Sequence, residues 1–241
     1  MFKIALQLYS LREQCGADLD NVLSKIAKAG YDGVETHKLY DLTAAELKDK
    51  FDKHGLVCPS MHVGWDLFKS DLDKVIADAV ALGASFVIIP IKRPITDKAA
   101  DVLEIADFVK QNAGKIQMSG LKWLYHNHAH EFAKLDSGKD FYDELLENTE
   151  PAQIGLQVDT YWTEKAGVSV KDFIKRVKPR IGCFHLKDHR EIGAGDIDFK
   201  TVLNAAGELG HEWVVVEQEE FDLDPFESIR VSIENISKII R

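Results

Sequence analysis

Hydrophobic residues in this chain gather into short runs that recur at nearly even intervals. Eight stand out: 2–8 (FKIALQL), 32–36 (DGVET), 56–62 (LVCPSMH), 85–91 (SFVIIPI), 121–127 (LKWLYHN), 154–159 (IGLQVD), 181–187 (IGCFHLK) and 213–218 (WVVVEQ). Each has strand length, and several are apolar on both faces, as buried parallel strands are. Between the runs the apolar residues switch to a helical period. The stretch 19–30 places them at 19, 22, 23, 26 and 27 and stops at Gly30; 42–55 stops at Gly55, and 72–83 at Gly83. Glycine ends helices because it enters the left-handed region without steric cost. Helical patterns also fit 97–113, 139–147, 169–177, 198–209 and 225–240. Asp20, Asp73 and Asp198 stand near helix starts, where capping and the helix dipole favour a carboxylate.

Eight strand–helix units in 241 residues average about 30 residues each, the size of a βα repeat. No linker or low-complexity stretch divides the chain. The pattern predicts an α/β protein with one domain over 1–241, folded as a single closed (β/α)8 TIM barrel. An open doubly wound sheet would carry GxGxxG after its first strand, and this chain does not. GAGDID (193–198) is glycine-rich but follows a loop, which makes it a weak phosphate signal.

A barrel carries its chemistry at the C-terminal ends of its strands. Six of the eight runs carry Asp, Glu or His within their last three residues. Glu35 ends the second and His62 the third. The fifth runs into Tyr125, His126, Asn127 and His128, with Glu131 soon after. Asp159 ends the sixth, His185 and Lys187 the seventh, and Glu217 the eighth. Charges crowded into a barrel mouth need partners or a cation, because unpaired burial costs several kcal/mol. A bound divalent metal answers that need economically.

Composition narrows the classes. Apolar residues make up 45% and charged residues 29%, ordinary for a soluble globular protein. Forty acidic against thirty basic side chains give a formal charge of −10, which disfavours a nucleic-acid partner. No apolar run approaches the ~18 residues of a membrane span, and the N-terminal residues lack a signal-peptide cleavage pattern. Three scattered cysteines without a CxxC pair suit a reducing compartment, so a cytoplasmic protein is expected.

Several motifs occur together and in order: QLYSLRE (7–13), GYDGVET (30–36), YHNHAHEF (125–132), VDTYW with a following AG (158–162, 166–167), FHLKD (184–188) and VVEQE (215–219). The set resembles the xylose isomerase-like TIM-barrel superfamily, in particular its sugar phosphate isomerase/epimerase branch, over nearly the whole chain. That resemblance implies one divalent metal at the mouth, held by Glu, Asp, His and Glu from strands five to eight. Asp159, His185 and Glu217 match the last three positions. Strand five has no glutamate at the matching place. Either Glu131 folds back as the fourth ligand or His126 replaces it, and Glu131 is the expectation adopted. Three carboxylates and one imidazole favour Mn²⁺, with Mg²⁺, Co²⁺ or Zn²⁺ as alternatives.

The implied activity is isomerisation or epimerisation of a keto-sugar or sugar derivative, through proton removal beside a carbonyl and a metal-stabilised enolate. Glu217 is the candidate base, with His126 and His128 as acid/base partners or substrate ligands, and Lys187 offsetting excess negative charge or holding a substrate oxygen. Glu35, His62, Asn127 and Trp162 are expected to contact the sugar. Arg93 is read first as a surface charge. The same enolate could instead expel a leaving group, which would make the chain a dehydratase or lyase on an inosose or 3-keto-glycoside. A non-catalytic binding barrel and an endonuclease-like protein are the remaining classes. The expected partner is a small sugar or polyol derivative, with no nucleic acid or membrane, and the resemblance adds a homodimer.

Overall fold

The computed structural model describes residues 2–240. Its strands are β1 (Lys3–Gln7), β2 (Gly33–Glu35), β3 (Ser60–His62), β4 (Phe86–Ile89), β5 (Lys122–His126), β6 (Gly155–Asp159), β7 (Ile181–Leu186) and β8 (Trp213–Val216). They form one parallel sheet in the order β2-β1-β8-β7-β6-β5-β4-β3. Between β2 and β3 the wall is joined by isolated bridges, Gly33 with Val57 and Thr36 with Met61. There Val34 N–H donates to the Val57 carbonyl at 2.8 Å, and His62 N–H to the Thr36 carbonyl at 2.8 Å. The eight predicted strands are therefore present as a single nearly closed barrel.

Surrounding the sheet are α1 (Arg12–Ala29), α2 (Ala44–Lys53), α3 (Trp65–Ser70), α4 (Leu72–Leu82), α5 (Ala99–Met118), α6 (Phe141–Glu147), α7 (Thr160–Lys165), α8 (Val170–Val177), α9 (Phe199–Glu208) and α10 (Pro225–Ile240). Gly30 (φ 104°) and Gly83 (φ 75°) end α1 and α4 in the left-handed region, as expected. A reciprocal box starts α2: Glu46 N–H donates to Thr43 Oγ1 and Thr43 N–H to Glu46 Oε2. None of the described helices is long and apolar enough to cross a membrane.

The differences from the expectations are local. α1 begins seven residues early and is interrupted at Asp18 (φ −156°), whose carboxylate caps its second half through Asn21 N–H. The expected cap, Asp20, instead pairs with Lys53 and His54. Asp71, not Asp73, caps α4, whereas Asp198 caps α9 as expected. The six-residue helices α3 and α7 were not expected, being too short to show a period.

Side-chain alternation sets what the barrel holds. Leu6, Val34, Trp123, Tyr125, Val158, Phe184, Leu186, Val214 and Val216 point outward into one continuous core beneath the helices. The opposite positions fill the interior. Its apolar layer is Ala5, Ile88, Leu124, Cys183 and Val215. Two residues further along their strands stand Gln7, His126, His185 and Glu217, so the same alternation that builds the floor carries a polar layer to the mouth.

Candidate metal centre and active site

Two residues beyond Leu124, Cys183 and Val215 the strands deliver His126, His185 and Glu217, and β6 ends on Asp159. These four offer ligand atoms that all lie within 4.8 Å of one another. His185 Nδ1 is 3.6 Å from Glu217 Oε2 and 3.9 Å from Asp159 Oδ2. Both His185 Nδ1 and Asp159 Oδ2 are buried and lack any hydrogen-bond partner. Two unsatisfied buried polar atoms facing each other are costly unless a cation joins them. The donor set, two imidazoles and two carboxylates around those atoms, fits one divalent metal ion. His62, His126 and His185 form a second, overlapping group.

The structure brings Asp159, His185 and Glu217 together and leaves Glu131 out. The physical reason is alternation along β5. His126 points into the barrel, while Tyr125 points outward and packs on Phe141 at 4.3 Å. Glu131 joins the outward side: Tyr125 donates to its Oε1 at 3.1 Å and the His128 N–H to its Oε2 at 2.8 Å. His130 Nε2 is also 3.1 Å from that carboxylate. Burial raises the Glu131 carboxyl to about 7. His126 stands at the vertex where Glu131 was expected.

Two expected sugar contacts are also placed elsewhere. Asn127 Oδ1 accepts the Asp159 N–H at 2.8 Å, and its Nδ2 donates to the Asp159 carbonyl at 3.3 Å. Its amide is thus spent on the end of β6. Glu35 is wholly buried in the barrel interior and surrounded by donors. Gln7 Nε2 donates to it at 2.6 Å, Gln157 Nε2 at 2.8 Å and His185 Nε2 at 2.6 Å, and Ser60 Oγ donates as well. Burial would raise its pKa, but His62 and His185 hold it well below the ordinary carboxylate range.

The centre opens into a cavity of about 720 Å³. Expected residues on its wall are His62, His126, His128, Trp162 and Glu217, joined by Tyr9, His37, Arg93 and Glu219. Arg93 is exposed at this rim. Lys187 is buried, 3.3 Å from Glu217 Oε2 and paired with Glu219, and its Nζ lies 4.8 Å from the Trp162 ring centre.

Electrostatics separate the two carboxylates of the cluster. Burial raises Asp159 to about 7 against the pull of Lys187 and His185. Glu217 is equally enclosed, but Lys187 and His185 outweigh burial and hold it well below its ordinary range. Burial opposes charge on His185, yet Glu35 and Glu217 raise it to about 10. Burial and the neighbouring His185 keep His126 neutral, and burial lowers His128 to about 3.

Sequence reasoning missed Gln157, which links the layer. Its Oε1 lies 2.8 Å from His62 Nε2 and 3.0 Å from His126 Nδ1. The available signal was its position two residues before Asp159, hence on the same inward face. His37 also lines the cavity, with its Nδ1 unpartnered. The glycine-rich loop is not a free phosphate cradle. Asp188 Oδ2 already accepts from the Gly193 and Gly195 N–H groups at 3.0 and 3.1 Å, and Oδ1 from the His189 N–H at 2.8 Å.

Comparison with known proteins agrees with this architecture. Residues 23–239 match the profile of the xylose isomerase-like TIM barrel family. An inosose dehydratase from Geobacillus kaustophilus is 25% identical over 214 residues, which cover 76% of this chain and 68% of the relative. A solved sugar phosphate isomerase/epimerase from Parabacteroides distasonis superposes with a TM-score of 0.88 at 23% identity, covering 98% of this chain and 95% of that one. The IolI protein, solved with a bound zinc atom, gives a TM-score of 0.75 at 16% identity, covering 99% and 98% of the two chains. With the match extending through all but the first strand, the chain belongs to the xylose isomerase-like TIM barrel family.

Proposed function

We propose that this chain is a divalent-metal-dependent isomerase or epimerase of a keto-sugar or sugar derivative. The observation that carries the reading is the convergence of His126, Asp159, His185 and Glu217 beside a cavity of about 720 Å³, with Asp159 Oδ2 and His185 Nδ1 unpartnered. A divalent cation held by these four residues would supply Lewis-acid polarisation of a substrate carbonyl. With two imidazoles in place of one, the donor set suits Zn²⁺ as well as Mn²⁺.

The chain's own residues supply the proton chemistry. Glu217 stays ionised beside Lys187 and faces the cavity, so it accepts the proton from the carbon next to the carbonyl. Lys187, kept charged by Glu217, Asp159 and Glu219 despite its burial, donates to oxygen where negative charge develops. His128 is neutral with its Nδ1 unpartnered, and it hydrogen-bonds a substrate hydroxyl. Trp162 gives the sugar ring an apolar wall.

A second reading, a dehydratase or lyase on an inosose or 3-keto-glycoside, is favoured by one specific feature. His126 stands where a two-glutamate epimerase would have its second carboxylate, so the chain offers fewer bases for returning a proton on the opposite face. The inosose dehydratase relative points the same way. Both readings begin with the same C–H cleavage.

The test is solvent deuterium wash-in at the α-carbon of a panel of ketoses, inososes and 3-keto-glycosides, with epimeric and dehydrated products followed together. Protein purified without chelator should contain about one divalent ion per chain. Asp159→Ala and His185→Ala should lose both the ion and the exchange while remaining folded. Full exchange in either variant would refute the assignment.

A further inference from the structure

Glu35 touches no part of the cavity wall, yet it is connected to both histidines of the centre. An ionised carboxylate can only accept hydrogen bonds. His185 Nε2, 2.6 Å from Glu35 Oε1, must therefore carry a proton, so Nδ1, which faces Asp159 and Glu217, is the nitrogen that gives up its proton to offer a cation a lone pair. The second connection runs through Gln157. Its Nε2 donates to Glu35 Oε2 at 2.8 Å, so its amide oxygen is turned toward His126. That oxygen lies 3.0 Å from His126 Nδ1, which must also carry a proton, leaving Nε2 free. One carboxylate thus fixes which nitrogen keeps its proton in each ring, Nε2 in His185 and Nδ1 in His126.

We propose that Glu35 is the positioning residue that sets which nitrogen of each histidine, Nδ1 of His185 and Nε2 of His126, is presented to a bound cation. The proposal rests on the metal-centre reading above. It assigns Glu35 to the histidines and not to the sugar. The Glu35 oxygens are already shared among Gln7, Ser60, Gln157 and His185, which leaves them no capacity for a substrate hydroxyl. Partners of this kind orient metal-binding imidazoles, and losing one typically lowers metal affinity about 10–100-fold. An amide at position 35 would put donors where only acceptors fit, with its single oxygen unable to serve both His185 and Gln157.

The experiment uses the full chain labelled with ¹⁵N at histidine, with Zn²⁺ as the probe ion. In the unsubstituted protein, slowly exchanging ring protons should appear on His185 Nε2 and His126 Nδ1. Glu35→Gln should redistribute both and weaken Zn²⁺ binding about 10–100-fold by calorimetric titration. Should Glu35→Gln fail to fold, Glu35→Asp keeps the charge but withdraws it by one methylene, and should show the same losses in smaller measure. Asp140→Ala is the control for instability alone. It removes the α6 cap and the Arg176 partner, lowers Tm, and should leave Zn²⁺ affinity and ring protons unchanged. A Glu35 variant with the original ring-proton pattern, or with Zn²⁺ affinity within about threefold of the original, overturns the proposal. If the unsubstituted protein takes up no Zn²⁺, the metal-centre reading fails. The ring-proton comparison of metal-free proteins then still decides the role of Glu35.

Discussion

The Asn127 side chain clasps the backbone of Asp159, accepting its N–H at 2.8 Å and donating to its carbonyl at 3.3 Å. The carboxylate it steadies also caps α7, with Oδ1 taking the Trp162 N–H at 2.8 Å. Those two restraints leave Oδ2 aimed at His185. Asn127→Ala would leave the buried Asp159 N–H unpaired, at a cost of about 1–3 kcal/mol. It should lower Tm and weaken divalent-metal binding about tenfold without removing a ligand. Thermal unfolding and calorimetric titration of the same variant check both effects.

His126 and Glu131 should separate cleanly under substitution. His126→Ala should lose most metal affinity, whereas Glu131→Gln should bind the ion about as well as the unsubstituted chain, because Tyr125 and the His128 N–H hold that carboxylate outside the cluster. Inductively coupled plasma analysis after dialysis against a weak chelator reads the difference.

Glu131 also predicts a pH dependence of stability. Burial raises its carboxyl from 4.5 to about 7 in the folded protein. Between those values the folded chain holds a proton that the unfolded chain has lost, so its contribution falls as pH rises through this window. The full change is on the order of 3 kcal/mol. Glu131→Gln should flatten that part of the stability profile, measured by urea unfolding from pH 4 to 8. A profile of unchanged slope would show that another group is responsible.

The seam between β2 and β3 should be sensitive to bulk. A methyl group at Gly33 would overlap the Val57 carbonyl oxygen and come within 2.9 Å of the Trp213 ring. Backbone on one side and a large ring on the other leave little room to yield. Gly33→Ala should destabilise by about 1–3 kcal/mol. Hydrogen exchange should localise the loosening to the Val34 and His62 amides, which bridge that seam.

Much of this architecture was legible because it depends on short-range pattern. Runs such as FVII and WVVV are short and rich in β-branched residues, which favours buried strands, and Gly30 and Gly83 mark helix ends through the left-handed conformation they adopt. Asp159, His185 and Glu217 could be found because the end of a barrel strand has a fixed position relative to the mouth. Glu131 could not be placed. The sequence does not say whether the chain beyond His126 continues inward or follows Tyr125 outward. Nor could the roles of Glu35 and Gln157 be read, since their contacts join residues 122 and 150 positions apart and exist only once strand register is set. Asn127 sits between two histidines of the centre and cavity and looked like a sugar contact, but it lies one residue past the end of β5 and its amide is bonded to the Asp159 backbone.

The loop after β7 carries a consequence of its own. Its amides converge as they would on a phosphate, but Asp188 already supplies the negative charge from within the chain. Those three donors are already taken, so a dissolved anion would have to displace a carboxylate tethered within the same loop. Any side chain at Gly195 would collide with that carboxylate and expel it. Gly195 is thus kept small for the sake of an internal guest, and a motif that looks receptive from outside is, in this fold, a lock with its key left in.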